Sequence, residues 1–355
     1  MLQRASLLLG VFAVMALSNA IVPVLPDFGK GAALQGAIFS AYFFGAFLTV
    51  LPAGLASDRI GRVPLVRAGL ILTLASGIAI ILFPSGLPMV AARGLEGVGA
   101  GLFVSAALAW TNSQESHETL SGYFMAALNL GLVVGLLGTG WLDGILASSL
   151  AGVALFTGIT IIPLVMSISL TEQIRENLIV ANLPEVIRHY IWLYIAAVVL
   201  IGVTGAVTAL YPEYTGENPG LLSIQIGLMN IATIVTILLA SHAHLRPVPT
   251  IRISAVAMAI AVAGCYFTPW AFPVIGAFAG FVIVASLSFL AETNLRQGVV
   301  TGLFNTATYA GFTLLPFIAG IVAEASTFFA AFAFLAAIVG TMAFTIGRCQ
   351  CTYGG

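Results

Sequence analysis

Charge is what this chain has least of. Of its 355 residues only 7% are Asp, Glu, Lys or Arg, against roughly 25% in an ordinary soluble domain. Twelve basic and thirteen acidic side chains cannot coat the water-facing surface of a protein this size, which excludes a soluble enzyme and a disordered chain. Cysteine is scarce too: Cys265, Cys349 and Cys351 are too few for a disulfide framework. A net charge of −1 and the lack of any basic stripe exclude a nucleic-acid-binding protein. There is no series of short alternating strands with one polar face, so a lipid-spanning barrel is excluded as well. What is present is a composition 60% hydrophobic, laid out in long unbroken apolar runs. That pattern defines an all-α integral membrane protein.

A bilayer core about 30 Å thick takes roughly 20 apolar residues per helix. Twelve stretches qualify: 5–25, 34–56, 64–83, 88–110, 120–141, 145–170, 190–211, 221–241, 252–270, 272–292, 298–321 and 326–347. The connections left over are short, with no room for a soluble domain. Pro and Gly punctuate the ends, as in Pro84-Ser85-Gly86-Leu87-Pro88 and Glu217-Asn218-Pro219-Gly220. The boundary near Trp270 is the least sharply marked. Arg4, the apolar run after it and Ser18-Asn19-Ala20 also fit a cleavable leader. Its removal would leave eleven spans and break the internal symmetry described below, so the first run is read as a span.

Arginine placement orients the chain. With the N-terminus inside, Arg4, Arg59, Arg62, Arg67, Arg175, Arg188, Arg246, Arg252, Arg296 and Arg348 fall on the inner side and only Lys30 on the outer. Arg93 lies within a span. The positive-inside rule then predicts a multi-pass protein of the cell (plasma) membrane with both termini cytoplasmic. Asp27, Asp143, Glu213, Glu217 and Glu324 go to the outer side.

The two halves of the chain repeat one another. Leu55, Ala56, Ser57 and Arg62 recur as Leu239, Ala240, Ser241 and Arg246, an offset of 184. After one inserted residue, Val63, Pro64 and Arg67 recur at 185, as does Pro88. Gly122-x-Phe124 returns as Gly302-x-Phe304. Six spans repeated in parallel is the plan of a two-half transporter with its substrate held between the halves. The division expected is a six-helix half at 1–170, a cytoplasmic linker at 171–189 and a second six-helix half with a short tail at 190–355.

Arg93 and Glu96 are the only charges placed away from the ends of a span. Each costs about 2.5–3.5 kcal/mol on insertion scales, so a purpose is expected. Spacing i, i+3 puts them on one helix face within pairing distance. Either they form a static pair that makes both charges tolerable, or Glu96 takes up and releases a transported proton. In the second case burial opposes its charge while Arg93 favours it. Gly97-x-x-x-Gly101 and Gly131-x-x-x-Gly135 are read as close helix contacts in lipid. His242-x-His244 supplies two ligands in a loop, which is not a metal site, and Cys349-x-Cys351 in the tail could be lipidated or bind metal but is read as doing neither. No metal or cofactor is expected.

Gly54-x-x-x-Asp58-Arg59-x-Gly61-Arg62, between the second and third spans, resembles the signature loop of the major facilitator superfamily. Val63 stands where that family often has a basic residue. Arg93-Gly94-Leu95-Glu96-Gly97-Val98-Gly99-Ala100-Gly101 is similar to its second motif, with Glu96 where Gln is common. Asn19 to Pro26 resembles the first-helix pattern of the twelve-span drug:proton antiporters, and Gly131-x-x-x-Gly135-Leu136 their antiporter motif, with Leu136 in place of Pro.

The resemblance implies the major facilitator fold, twelve transmembrane helices in two six-helix pseudo-repeats. It also implies a gating latch of Gly54, Asp58, Arg59, Gly61 and Arg62, in which Asp58 meets the eleventh span near Gly298 when the inner side is closed. A carboxylate at a helix N-terminus contributes about 0.3–1 kcal/mol when exposed, a strength that suits a contact broken every cycle. Arg59 and Arg62 could pair with Glu115 or Glu118, or only set topology. The substrate-cavity candidates are Asn19, Tyr42, Asn129, Gln225, Asn230, Asn305 and Tyr309, with Tyr194 a further one.

The function expected is alternating-access transport of a small lipophilic or amphipathic solute, as proton-coupled efflux, by a non-enzyme acting as a monomer among membrane lipids. Its partners would be that solute and protons. A proton-coupled importer or uniporter of a small metabolite remains the alternative, and a membrane-embedded enzyme or receptor a remote one.

Overall fold

The structure is a computed structural model and describes residues 2–114, 117–172, 187–188, 190–240, 245–291 and 297–348. Among the described residues every regular element is helical. Twelve helices are long and apolar enough to cross a membrane. They are α1 (Leu2–Ala20), α2 (Ala32–Ile60), α3 (Arg62–Leu82), α4 (Gly86–Asn112), α5 (His117–Leu146) and α6 (Leu150–Met166), then α7 (Ile191–Thr215), α8 (Pro219–Ala240), α9 (Pro247–Gly264), α10 (Ala271–Ala291), α11 (Gln297–Ala325) and α12 (Phe328–Thr345). An even number of crossings puts both chain ends on one face. That face, with most of the arginines, is called the arginine face below and its opposite the far face.

Helix ends differ from the sequence expectation where a local stop was misjudged. The fifth span is expected to end at 141. Instead α5 runs through Asp143 to Leu146 and stops where Ala147 takes a positive φ of 48°. Span nine was expected at 252–270. It starts five residues earlier, because Pro247 occupies the first turn, where its missing N–H breaks no hydrogen bond. It ends at Gly264, and turns carry the chain from Cys265 to Trp270. Pro23 and Pro26 divide the end of the first span into a 3-10 turn (Val22–Val24) and one helical turn (Leu25–Phe28).

The first six helices pack among themselves, as do the last six. α2 lies along α4, α1 along α5, α3 along α4; in the second set α8 lies along α10 and α11 along α7. Two further seams join the sets, α2 against α11 and α5 against α8. The start of the segment after α6 is fastened to the first set: the Glu172 carboxylate accepts from Arg62 N at 2.8 Å and Val63 N at 3.1 Å, capping α3. Gln3 Nε2, Trp110 Nε1 and Arg67 donate to carbonyls between Ser167 and Thr171. Residues 173–186 of the expected linker lie outside the described residues.

Candidate transport site

Four glycines let backbones touch. A Cβ on Gly97 would run into the Tyr42 carbonyl oxygen and one on Gly101 into Thr49, so α4 lies directly on α2. Gly131 and Gly135 stand in the same way against the Phe12 and Ala16 carbonyls of α1. The glycine spacing read from the sequence therefore falls at two helix crossings of the first set.

On the α4–α2 crossing lies the one ion pair between described residues. Arg93 Nη1 meets Glu96 Oε2 at 2.6 Å, and both side chains are buried. Arg93 Nη2 also donates to the Ser18 carbonyl of α1 at 3.3 Å, and its guanidinium carbon stands 4.7 Å from the centre of the Tyr42 ring. Glu96 Oε1 and Arg93 Nε are buried without a hydrogen-bond partner. The pair is thus held on three helices but left incompletely satisfied, which costs about 1–3 kcal/mol for each orphaned group. The Tyr42 ring in turn stands edge-on to Phe43 of α2 at 5.0 Å, which carries the contact from the pair to the α2–α11 seam.

That seam is tight at the far face. Gly36 abuts the Pro316 carbonyl and Gly320 the Ala32 carbonyl. Phe43 packs on Phe312 with ring centres 4.6 Å apart and on Tyr309 at 6.2 Å. The second seam is tight at the same level, with Gly140 against Ser223 and the Pro219 carbonyl. Gly54, Gly122 and Gly302 each lie eighteen residues, about five turns, from Gly36, Gly140 and Gly320 on the same helix stripe. A Cβ on any of these three would meet no described atom within 4 Å. Among the described residues the close contacts between the two sets therefore gather at the far face.

Helical register shows which candidates lie on the stripes that face the seams. Asn129 lies eleven residues, about three turns, before Gly140 on the stripe that α5 turns to α8. Asn230 shares the stripe of Ser223 and Gly227, which meet α5. Asn305 and Tyr309 share the stripe of Pro316 and Gly320 on α11. Two candidates are placed otherwise. Asn19 donates to the Leu132 carbonyl of α5 at 3.0 Å and ties two neighbouring helices. Gln225 sits on the side of α8 opposite Asn230, with Leu222 and Met229, buried against the last six helices. Tyr194 is buried in α7 with its hydroxyl unpartnered.

Among the latch residues, Gly54 is as just described, Gly61 is the single residue between α2 and α3 and takes a φ of +110°, and Arg62 is buried with Nε and Nη1 unpartnered. The side chains of Asp58, Arg59 and Glu118, and all of Glu115, lie outside the described atoms. So do His242, His244, Cys349 and Cys351. Sequence reading passed over Gln35, Phe43, Phe312, Glu213 and Glu324, which meet at the far-face seam. A Gln in the first turn of an apolar span was the available signal for one of them.

These features fit a membrane carrier with a closable path between two helix sets. The Major Facilitator Superfamily profile matches residues 7–309, and the chain belongs to that family of transporters. Solved structures share the fold over nearly all of both chains. The nucleoside transporter NupG gives a TM-score of 0.77 at 12% identity, covering 98% of this chain and 100% of that one. A D-xylose-proton symporter gives 0.71 at 14% identity, covering 98% and 96%. The human organic anion transporter TETRAN gives 0.69 at 15% identity, covering 97% and 99%. Among curated proteins, "Probable anion transporter 6, chloroplastic" of Arabidopsis thaliana is 32% identical over 126 residues, which is 34% of this chain and 24% of that protein.

Proposed function

We propose that this transporter moves small, neutral, amphipathic solutes out of the cell in exchange for protons, with the arginine face inside. The observation that carries the proton part is the buried Arg93–Glu96 pair. It is the one place between described residues where a carboxylate is enclosed in the helix core. Gaining or losing a proton at Glu96 rebalances a site that already holds one orphaned carboxylate oxygen and one orphaned guanidinium nitrogen. The solute part rests on the stripes the two sets turn to each other. By helical register Asn129, Asn230, Asn305 and Tyr309 bring amides and a phenol to them. These favour a solute that stacks and hydrogen-bonds over an anion, since Arg93 is already engaged by Glu96. The test is transport into inverted vesicles with an imposed pH gradient, using a panel of neutral and anionic probes. Accumulation of neutral probes that collapses with the gradient supports the reading. Gradient-independent flux would identify a uniporter, and accumulation in the reverse direction an importer.

The domain reading is two six-helix halves joined at the inner surface by 171–189. The orientation can be checked with single cysteines in a background lacking the three native ones. Positions 143 and 213 are expected to react with an impermeant thiol reagent in intact cells, and 115 and 241 only after lysis. Labelling of 241 with 143 silent would reverse the map.

The inner latch has its own expected outcome. The contacts Gly36 to Pro316 and Ala32 to Gly320 fix an antiparallel register. Continued along both helices, that register brings the Asp58 end of α2 toward the start of α11, which supports the latch reading. Asp58→Asn should leave the protein folded and slow transport about tenfold, since a charge–dipole contact of this kind contributes up to about 2 kcal/mol when partly buried. Transport at the parental rate would remove Asp58 from the gate.

A further inference from the structure

We propose that Glu213 and Glu324 are a second latch, which holds the far face shut and mirrors the one read at Asp58. Both acids come from the second helix set, and both meet the start of α2 in the first. Glu213 Oε1 accepts from Gly31 N at 3.1 Å, and Glu324 Oε2 accepts from Ala33 N, also at 3.1 Å. These are N–H groups that helix geometry leaves without an intrahelical acceptor, at the positive end of the α2 dipole. Gln35, one turn in, donates from Nε2 to Glu213 Oε2 and, at 2.9 Å, to the Gly29 carbonyl, which fixes the carboxylate in place. The backbone reinforces the seat. Gly31, with φ of +92°, is the residue before the helix, and a Cβ there would come to 3.3 Å from Glu324 Oε2.

Three observations make this a latch rather than static packing. First, it joins the two helix sets and sits where the seams are tight, at the level of the Gly36–Pro316, Gly320–Ala32 and Gly140–Ser223 contacts. Second, it is reciprocal. α2 and α11 run antiparallel; Glu324, at the C-terminal end of α11, serves the N-terminus of α2. The same register brings the Asp58 end of α2 toward the N-terminus of α11. One chemistry thus stands at either end of one helix pair, and a rocking motion closes one contact as it opens the other. This second point rests on the gating role read for Asp58; the hydrogen bonds of Glu213 and Glu324 do not. Third, the closed contact carries its own release. Gln35 Oε1 is fully buried with no donor, so water entering an opened far face satisfies a group that closure leaves orphaned.

The experiment is distance measurement by paired spin labels in lipid nanodiscs. Cysteines replace the exposed Leu146 and Leu221 at the far ends of α5 and α8, in a background without the native cysteines. The parent should favour the short, sealed separation. Glu213→Gln with Glu324→Gln should raise the ratio of open to sealed far-face states by about tenfold, as expected for losing two helix-terminus charges. Glu213→Asp with Glu324→Asp, which keeps both charges, should retain most of the sealed population and reports on folding. Asp58→Asn should move the same ratio the other way. A double Gln variant with the parent's distribution, alongside a shifted Asp58→Asn, would overturn the outer latch and leave the inner one standing. No shift in either would overturn both.

Discussion

Vesicles carrying Glu96→Gln are expected to lose proton-driven accumulation altogether while still binding substrate and exchanging it passively. With a gradient of one pH unit, a one-for-one exchanger concentrates its solute about tenfold, because one unit of pH is about 1.4 kcal/mol. Without a titrating group the ratio falls to unity. The competing explanation is that the pair is structural and the variant merely weakens the fold. Removing one partner of a buried pair costs about 3–5 kcal/mol when the other charge is left bare. Gln avoids most of that cost, since its amide oxygen still accepts from Arg93 Nη1, and the Tyr42 ring and the Ser18 carbonyl remain in place. The two accounts separate in one measurement. A folded Glu96→Gln protein whose transport keeps the parent's pH dependence assigns the pair to structure and moves the coupling site elsewhere.

Gly97→Leu should produce the largest loss of stability of any single change in the first helix set. The glycine stands where α4 crosses α2, and its missing Cβ is the space occupied by the Tyr42 carbonyl. Backbone cannot swing aside as a flexible side chain can, so the helices must separate. Overpacking of a tight core costs about 1–3 kcal/mol, and here the displacement also pulls the Tyr42 ring from Arg93. Expected results are a melting temperature in detergent several degrees lower and transport near background. Gly144→Leu is the control: a Cβ there meets nothing within 4 Å, and stability should stay at the parent's value. Equal melting for the Gly97 variant and the parent would show that the crossing relaxes freely.

The twelve crossings were legible because a bilayer enforces one crude rule, about 20 apolar residues in a row. The Arg93–Glu96 pair was legible because three residues along a helix is a contact that sequence alone states. Helix ends were less so, since Gly140 and Gly144 are as compatible with a helix as with its end, and the stop came at Ala147 instead. Sorting the polar candidates needed one step more. Asn230 and Gln225 are five residues apart, well over a third of a turn out of phase, so one faces the seam and the other the packed side. That much was present in the period of 3.6, given a known anchor such as Gly227. The far-face contact was out of reach: Gln35 is separated from Glu213 by 178 positions and Ala33 from Glu324 by 291. No local pattern encodes such a meeting. The same is true of Glu172, which caps α3 from 110 positions away.

The buried pair also has a consequence for how the chain gets into the bilayer. α4 carries both intramembrane charges and is the least apolar of the twelve helices. On insertion scales two charges near a helix centre oppose partitioning by several kcal/mol. The helix lowers that penalty with its own Glu96, but its remaining partners, the Ser18 carbonyl and the Tyr42 ring, belong to α1 and α2. Both are synthesised earlier. The groups that offset the arginine of the fourth helix in the folded protein therefore lie on helices that precede it in the chain. A chain begun at α3 would present the same charges to lipid with no acceptor waiting.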